Sequence, residues 1–199
     1  MNGDGAQSGA AGGADAGWRV APTLTTERLR LEPFTPGDAP FIVRLLNDPG
    51  FLRFVGDRNV RDEAQARAYL AAGPIDSFAR RGFGGYRVVR AADGAPLGMC
   101  GLFQRDVLDA PDLGYALLAE HQGRGYAREA CRAVIADAGR RLGLARLFAL
   151  ITPGNPRSIR LAEGLGFRFA RTVRISRDDV ELNCYALTLP APRSRPRAT

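Results

Sequence analysis

A glycine-rich segment at residues 122–127 carries the clearest chemical signal in the sequence. It reads Gln-Gly-Arg-Gly-Tyr-Ala and stands between a short apolar run and a strongly amphipathic helical pattern. Two glycines flanking an arginine predict a turn whose backbone N–H groups remain open, and the N-terminus of the following helix adds partial positive charge. These features predict a binding site for a phosphate or pyrophosphate group.

The residues around this segment exclude two common phosphate-binding motifs. A Walker loop requires a lysine, and the sequence contains none. A Rossmann fingerprint requires a small residue where Arg128 stands and an acidic residue about 20 positions further on, and neither condition is met. A turn with a purely structural role before a helix stays open as the alternative.

Composition removes further classes of chemistry. Without lysine, neither a Schiff base nor a lysine nucleophile can form. His121 is the single histidine, which excludes a histidine-rich zinc site, and no metal site is predicted. The cysteines Cys100, Cys131 and Cys184 lie far apart in apolar patterns, which predicts buried free thiols. The net charge of +7 is compatible with anionic ligands or nucleic acid.

Hydrophobic periodicity places the glycine-rich segment between a strand and a helix. The strand is predicted at residues 113–118, the helix at 125–141 and a second buried strand at 147–151, which together predict a parallel, right-handed crossover. Residues 48–50, Asp-Pro-Gly, are expected to end the first helix, and Gly73 with Pro74 to interrupt the second. The remaining elements are strands at 25–34, 85–90, 96–103, 167–173 and 182–189, and helices at 38–47, from 62 onward, and at 155–163.

The element order is β-α-α-β-β-β-α-β-α-β-β. It predicts an α/β (α+β) fold, with a twisted, mixed, mostly antiparallel sheet of six to seven strands and helices on both faces. Residues 24–190 form the expected domain, residues 1–23 a disordered leader, and residues 191–199, with three arginines, a basic flexible tail. The leader has no secretory pattern, and no apolar run reaches the roughly 18 residues of a membrane span, so a cytoplasmic protein is expected.

Three motifs in this order resemble the GNAT family of N-acetyltransferases. Gln122-x-x-Gly125-x-Ala127 is similar to the acetyl-CoA binding motif Q/R-x-x-G-x-G/A, and residues 112–118 look like the strand that precedes it. Residues 155–167 are similar to the second cofactor segment of that family. The opening residues 26–31 resemble the RimJ/RimL-like branch, which acetylates the N-termini of ribosomal proteins. The resemblance covers residues 25–189 and implies the GNAT fold with acetyl-CoA as cofactor.

The resemblance also implies which residues bind that cofactor. The pyrophosphate is expected on the N–H groups of the glycine-rich segment, where glycine at 125 permits close approach. The pantetheine arm is expected to add alongside the strand that carries Leu117. For Arg124, a phosphate contact and exposure to water both stay open, and for Asn155 a helix cap alone is a sufficient explanation. The predicted cofactor-binding residues are Leu117, Leu118, Gln122, Gly123, Arg124, Gly125, Tyr126, Ala127, Asn155 and Ser158.

The reaction that the resemblance implies is direct attack of an amine on the acetyl thioester. A backbone N–H near Leu117 is expected to stabilise the developing oxyanion. Asp112 is the predicted general base, and a simple loop role is its alternative. Glu120, His121 or a chain of water molecules also stay open as the base.

The thiolate leaving group requires a proton donor, and here the sequence departs from the family. Many members use a tyrosine on the last short helix, but the matching position is Ala162. Ser158, one turn earlier, is predicted to take that role, with a local helix hydrogen bond as its alternative.

The predicted function is transfer of an acetyl group from acetyl-CoA to a primary amine, either a protein N-terminus or a small molecule. A non-catalytic acyl-CoA-binding sensor is the alternative, because the usual tyrosine is absent. An arginine-rich nucleic-acid binder is a third and disfavoured interpretation. Exposed sheet edges and the C-terminal hairpin add a homodimer to the expectations. No motif specifies the acceptor pocket, which is expected around residues 47–80 and 173–183.

Overall fold

The computed structural model describes residues 21–175 and 180–190, and most of the predicted leader and the whole predicted tail lie outside them. The strands are β1 (Leu24–Thr25), β2 (Leu29–Pro33), β3 (Gly85–Arg90), β4 (Pro96–Phe103), β5 (Asp112–Leu117), β6 (Arg146–Ile151), β7 (Arg168–Val173) and β8 (Leu182–Thr188). They form one sheet in the order β1-β2-β3-β4-β5-β6-β8-β7. The predicted fold class is confirmed, and the strand number of six to seven is corrected to eight.

The extra strand comes from a bend at Thr26. The N–H of Thr26 donates to the Leu29 carbonyl over 2.9 Å, and its Oγ1 accepts the Leu29 N–H over 3.0 Å. This tight turn folds β1 back onto β2 as an antiparallel arm. Because both arms alternate in polarity, the sequence pattern shows one continuous strand where the chain makes two.

Helices cover both faces of the sheet. They are α1 (Ala39–Leu46), α2 (Pro49–Phe54), α3 (Glu63–Leu70), α4 (Asp76–Arg81), α5 (Tyr126–Arg140) and α6 (Pro156–Gly164). The predicted interruption at Pro74 is a π-helical segment, Ala71–Ile75, that joins α3 to α4 without a break. None of the helices in the described part of the chain has the length and apolar character that a membrane crossing needs.

Two apolar cores lie on opposite faces of the sheet. The core under α5 includes Leu97 and Cys131, and the core under α1 and α3 includes Leu45, Leu70 and Met99, each at most 4% exposed. The predicted thiol state is confirmed, because all three cysteines are buried and free. The sheet is therefore filled on both sides, and its central strands are held in fixed positions.

Asp48 begins a helix where the sequence predicted only an end. Its Oδ1 accepts the N–H of Gly50 over 2.8 Å, and Pro49 occupies the first position of α2. Asp-Pro is a usual start for a helix because the aspartate caps free N–H groups and proline needs no partner there. The same residues also end α1, so the prediction recognised one of their two roles.

Asp38 stands at the N-cap position of α1 but does not cap that helix through its side chain. Its carboxylate accepts the N–H and hydroxyl of Thr35, over 2.8 and 3.0 Å, and pairs with Arg87 of β3. Asp38 therefore marks the start of α1 by its position, whereas its side chain bonds Thr35 and Arg87. Arg87 draws the buried carboxylate toward the sheet, away from the first turn of α1.

Candidate functional site

The two parallel strands at the centre of the sheet separate soon after they meet. β5 and β6 pair at Asp112 with Phe148, and the N–H of Phe148 donates to the Pro111 carbonyl over 3.0 Å. No further pairing joins these two strands in the described residues, although β5 continues to Leu117 and β6 to Ile151. The parallel crossover is confirmed, and a gap opens between the C-terminal halves of its strands.

The backbone of β5 presents hydrogen-bonding groups to this gap. Successive residues of an antiparallel strand point their N–H and C=O groups to opposite sides. Leu118 donates its N–H to the Leu97 carbonyl of β4 over 3.0 Å, so Leu117 and Tyr115 direct theirs toward the gap. The Leu118 carbonyl accepts from the N–H of His121 over 2.9 Å. Of the two predicted strand residues, Leu117 faces the gap, whereas Leu118 has both backbone groups engaged.

The glycine-rich turn, residues 122–127, has the open geometry that its sequence predicts. Gly123 and Gly125 have φ angles of 76° and 81°, in the left-handed region that glycine adopts at low cost. A Cβ placed at Gly123 would meet no atom within 4 Å, so the space beside the turn is free. The N–H groups of residues 123–127 donate to no acceptor in the part of the chain that the structure describes. Together with the start of α5 they fit an anion such as a pyrophosphate.

Gln122 holds the turn against the end of β5. Its Nε2 donates to the Leu117 carbonyl over 3.0 Å. This bond uses one of the two N–H groups of the side-chain amide. The structure thus gives Gln122 a positioning role: it fixes the turn relative to the strand whose backbone faces the gap.

The N-terminal motif at residues 26–31 braces the other side of the turn. Thr26 donates its hydroxyl to Glu129 Oε1 over 2.6 Å, and Arg28 forms an ion pair with the same carboxylate at 2.6 Å. Arg28 also donates to the Arg124 carbonyl over 3.1 Å. Through these contacts, Thr26 and Arg28 tie the N-terminal strands β1 and β2 to the glycine-rich turn and to the first turn of α5.

Three side chains of the turn differ in what they offer a ligand. Arg124 is exposed and has no carboxylate partner among the described residues. Tyr126 is 8% exposed and packs into the core under α5, with the Arg28 guanidinium 4.9 Å from its ring centre. Ala127 is half-buried against the same core. Tyr126 and Ala127 therefore have only their backbone groups to offer a ligand, whereas Arg124 also has an exposed charge.

Helix α2 spans the open end of the gap. At its start, Asp48 Oδ2 accepts the N–H of Ala119, just after β5, over 3.1 Å. At its end, the hydroxyl of Thr152, just after β6, donates to the Phe54 carbonyl over 3.0 Å. The helix is therefore tied to both diverging strands, and it forms a wall that the sequence did not predict.

A pair of hydroxyl groups joins the two sides of the gap. Ser158 Oγ in α6 lies 3.0 Å from the Tyr115 hydroxyl in β5. Burial raises the pKa of Tyr115 to about 12, so this phenol keeps its proton at neutral pH. The predicted N-cap is confirmed, because Asn155 Oδ1 accepts the Ser158 N–H over 3.1 Å. The Ser158 hydroxyl does not bond within its own helix, as the alternative had it; its partner is Tyr115.

Ala162 lies on the side of α6 that packs into the core. It is 5% exposed, and the Phe167 N–H donates to its carbonyl over 3.0 Å. This position provides no proton donor, which agrees with the departure seen in the sequence. A tyrosine hydroxyl does lie at the gap, but it belongs to Tyr115 of β5 and not to α6.

Asp112 is placed far from the turn. It starts β5, five residues before Leu117, which corresponds to about 17 Å along a strand. It is 3% exposed and accepts from Arg105 Nε over 3.0 Å. Burial raises the pKa of Asp112, and Arg105 partly offsets that shift. The prediction that Asp112 is the general base gains no geometric support, because its carboxylate is engaged at the closed end of the gap.

Glu120 and His121 lie on the short 3-10 segment Ala119–His121. Glu120 pairs with Arg44 of α1, and its carboxylate is 3.8 Å from His121 Nε2. His121 Nδ1 is buried without a partner among the described residues, and burial lowers the pKa of this histidine. Glu120 thus contacts Arg44 of α1, and the two side chains lie beside each other.

The sequence singled out neither Tyr115 nor Asp48. Tyr115 carries a weak signal, since it is the one polar-tipped side chain after Asp112 in an otherwise apolar strand. Asp48 was visible only as part of a turn. Their importance comes from partners at Ser158 and Ala119, which are distant in the chain.

Comparison with known proteins agrees with these features. Residues 28–168 match the model of the acetyltransferase (GNAT) domain. The uncharacterized protein YkkB of Bacillus subtilis (strain 168) is 31% identical over an alignment of 159 residues. The match covers 76% of this chain and 88% of that protein.

Two solved structures show the same fold. The crystal structure of an acetyltransferase from Agrobacterium tumefaciens str. C58 superimposes with a TM-score of 0.73 at 26% identity, and covers 89% of this chain and 100% of that one. A RimL ribosomal L7/L12 alpha-N-protein acetyltransferase in complex with coenzyme A gives a TM-score of 0.71 and covers 84% of this chain and 98% of that one. Its identity is 16%, so this second likeness concerns the fold alone.

Proposed function

Because the chain belongs to the GNAT acetyltransferase family, we propose that it is an N-acetyltransferase that moves an acetyl group from acetyl-CoA to a primary amine. One observation carries the proposal: a turn with open N–H groups stands beside two strands that separate. The turn suits a diphosphate, and the gap suits a narrow chain that leads away from it. These are the two recognisable parts of the cofactor.

Acetyl-CoA is the cofactor of this family, and when bound it supplies an activated thioester. The N–H groups of residues 123–127 would hold the diphosphate, and the exposed Arg124 guanidinium would pair with a phosphate oxygen. The backbone N–H and C=O groups of Tyr115 would hydrogen-bond the pantetheine amides, as an added strand does. The Leu117 N–H is the donor placed to stabilise negative charge on a carbonyl oxygen in the gap.

Ser158 is the proposed proton donor to the leaving thiolate. It borders the gap, and its Oγ lies 3.0 Å from the Tyr115 hydroxyl. A hydrogen bond donated by Tyr115 leaves the serine proton free to point into the gap. The raised pKa of Tyr115, about 12, keeps that donor protonated over the whole physiological range.

Removal of a proton from the amine is assigned to water. Asp112 is buried against Arg105 near the closed end of the gap, so a proton path to it requires a chain of water molecules. Asp112 therefore stays in the proposal as the alternative base, acting at a distance. The variant Asp112→Asn distinguishes water from Asp112 as the base.

A protein N-terminus is the proposed acceptor. The support is the RimJ/RimL-like sequence at residues 26–31. A small amine is the second candidate for the same site. A homodimer also belongs to the proposal, because β7 is an edge strand whose Phe169 is 57% exposed. Sedimentation of the purified protein tests that part separately.

The decisive experiment measures binding and turnover in parallel. Calorimetry with coenzyme A tests the site, and thiol release with acetyl-CoA tests the chemistry. The acceptor panel pairs short peptides that have a free N-terminus with the same peptides blocked at that amine, together with small primary amines. We expect turnover with the free peptides and none with their blocked forms.

Other outcomes of this experiment also have a definite meaning. Turnover on small amines alone would replace the acceptor class. Tight coenzyme A binding without turnover on any amine would favour a non-catalytic acyl-CoA sensor, which the apolar Ala162 in place of the usual tyrosine already makes worth testing. No binding of coenzyme A would contradict the whole proposal.

A further inference from the structure

An elongated groove separates the N-terminal arm of the chain from α5. It encloses about 660 Å³ and is lined by residues 23–28 on one side and by Gly125 with the outward side chains of α5 on the other. The groove begins at the glycine-rich turn and continues to Arg140, which lies fifteen residues and about 22 Å further along the helix. Most of its length is therefore outside the cofactor site described above.

Positive charge dominates the lining of this groove. Four arginines line it, at positions 28, 128, 132 and 140, against the two carboxylates of Glu27 and Glu129. Glu129 is already neutralised by its ion pair with Arg28. In residues 21–175 and 180–190, Arg128, Arg132 and Arg140 have no carboxylate within ion-pair distance, and all three are exposed. The uncompensated charge lies along α5.

The spacing of these arginines suits an extended chain. Arg128 and Arg132 are four residues apart on a helix, a rise of about 6 Å, and Arg140 lies about 12 Å beyond Arg132. Alternate side chains of an extended peptide are about 6.6 Å apart, and every fourth one about 13 Å. The Arg128 guanidinium lies beside Gly164 of α6, so a peptide with acidic residues at every second position can place carboxylates opposite Arg132 and Arg140.

The wall opposite α5 offers backbone partners for such a peptide. β1 stands at the edge of the sheet and pairs only with β2 within the described residues. Its outer N–H and C=O groups are available for an added strand. The hydroxyls of Thr23, Thr25 and Thr26 add further polar contacts on the same wall.

Single-stranded nucleic acid fits this groove less well. Its sequence-tolerant binding depends on aromatic side chains on which bases stack. The twelve residues that line the groove include no aromatic one. The charge favours an anion, and the lack of stacking surfaces together with a free strand edge favours a peptide.

We propose that this arginine groove is a docking site for an extended acidic segment of a partner protein. It holds the segment by ion pairs to Arg132 and Arg140 and by strand addition to β1. The site is separate from the proposed acetyl transfer, since Arg132 and Arg140 lie about two and four helical turns from the glycine-rich turn. It binds whether or not the partner is acetylated.

The test uses a fluorescent ten-residue peptide of alternating glutamate and serine, and a second peptide of alternating lysine and serine. Binding to the full chain is measured by anisotropy at several salt concentrations. We expect the acidic peptide to bind, its affinity to fall steeply with salt, and the basic peptide not to bind. Failure of the acidic peptide to bind at low salt would overturn the proposal.

Charge reversal locates the site. The double variant Arg132→Glu with Arg140→Glu should weaken binding of the acidic peptide by about tenfold or more. The matched control is Arg168→Glu with Arg171→Glu, which changes net charge equally on β7, at the opposite edge of the sheet. The control should bind the peptide as the parent does. Equal loss in both variants would show a general charge effect and contradict a groove.

Two further measurements keep the result interpretable. Unchanged coenzyme A affinity in the groove variant shows that it is folded, whatever the outcome for acetyl transfer. A labelled single-stranded oligonucleotide is titrated under the same conditions. If it binds more tightly than the acidic peptide and loses affinity in the groove variant alone, the occupant is nucleic acid and the peptide proposal is wrong.

Discussion

The glycine-rich turn and the Tyr115–Ser158 pair border the same gap but are built in opposite ways. The turn is exposed and offers backbone N–H groups from one short segment. The pair is partly buried and joins two side chains that are 43 residues apart and come from opposite sides of the gap. One site is made by local conformation, and the other by the placement of α6 beside β5.

This difference separates what each site can do. A backbone site is insensitive to most side-chain changes, but a left-handed glycine in it cannot be replaced at low cost. A side-chain pair depends on two hydroxyls at hydrogen-bond distance, so the loss of one oxygen disables it. Substitutions in the turn should therefore act on cofactor binding, and substitutions in the pair on the rate of reaction.

The largest effect is expected from Gly125→Glu. A residue with a side chain pays about 1 to 2 kcal/mol to adopt the φ of 81° found at this position, and the new carboxylate repels a phosphate. Coenzyme A affinity measured by calorimetry should fall by about 100-fold or more. The matched control is Gly139→Ala in the same helix, where a Cβ meets nothing within 4 Å and affinity should not change. An unchanged affinity for Gly125→Glu would mean that the anion site lies elsewhere.

Next in size is the effect of Ser158→Ala on turnover. Loss of the proton donor should lower kcat by about 10- to 100-fold, with a nearly unchanged dissociation constant for coenzyme A. Steady-state kinetics and calorimetry measure the two quantities. Ser77→Ala, which removes a hydroxyl bonded to the Phe83 carbonyl, is the control and should keep the parent kcat. A Ser158 variant with full activity would reduce this serine to a helix residue.

Asp48→Ala should lower stability rather than chemistry. It removes the cap of α2 and leaves the Ala119 N–H without its partner, so the free energy of unfolding should fall by about 2 to 3 kcal/mol in urea titrations. Asp62→Ala removes a cap that has no such tertiary bond, and should cost about 1 kcal/mol. Equal losses in the two variants would show that the tie between α2 and β5 contributes nothing.

The pH dependence of stability should show the buried phenol of Tyr115. Its pKa of about 12 in the folded state exceeds the ordinary value of about 10. The folded state therefore holds the proton more tightly, and this contribution is full below about pH 10 and lost as pH rises toward 12. Unfolding curves of Tyr115→Phe should lack this part of the alkaline decline. Parallel curves for both proteins would mean that Tyr115 titrates normally.

The smallest effect is expected from Asp112→Asn. If water removes the amine proton, kcat should stay within about threefold of the parent, and the acid limb of the pH–rate profile should not move. The asparagine side chain keeps an oxygen that can accept the hydrogen bond from Arg105 Nε, so the variant is expected to fold. A fall of about 100-fold in kcat would restore Asp112 as the general base.

Much of the fold could be predicted from periodicity alone. β3 and β4 begin and end where the pattern predicted, because a turn sequence separates two alternating runs. α5 is shorter than predicted by one residue at each end. The errors fall where one short segment has two roles, as at Asp48, or where a bend leaves the alternation intact, as at Thr26. The hydrophobic pattern of a sequence indicates which residues are buried. The helix start at Asp48 and the bend at Thr26 depend on hydrogen bonds instead, so the pattern does not show them.

The sequence by itself determined the family, the strand–turn–helix unit and the open glycine-rich turn. The physical reason is that glycine adopts left-handed backbone conformations that other residues avoid, and this preference acts within a few residues, so it can be read without the rest of the chain. The tertiary structure alone decided that Tyr115 meets Ser158, that Asp112 turns away to Arg105 and that α2 closes the end of the gap. Each of these depends on which distant residues the sheet brings into contact, and no local property of the chain fixes that pairing.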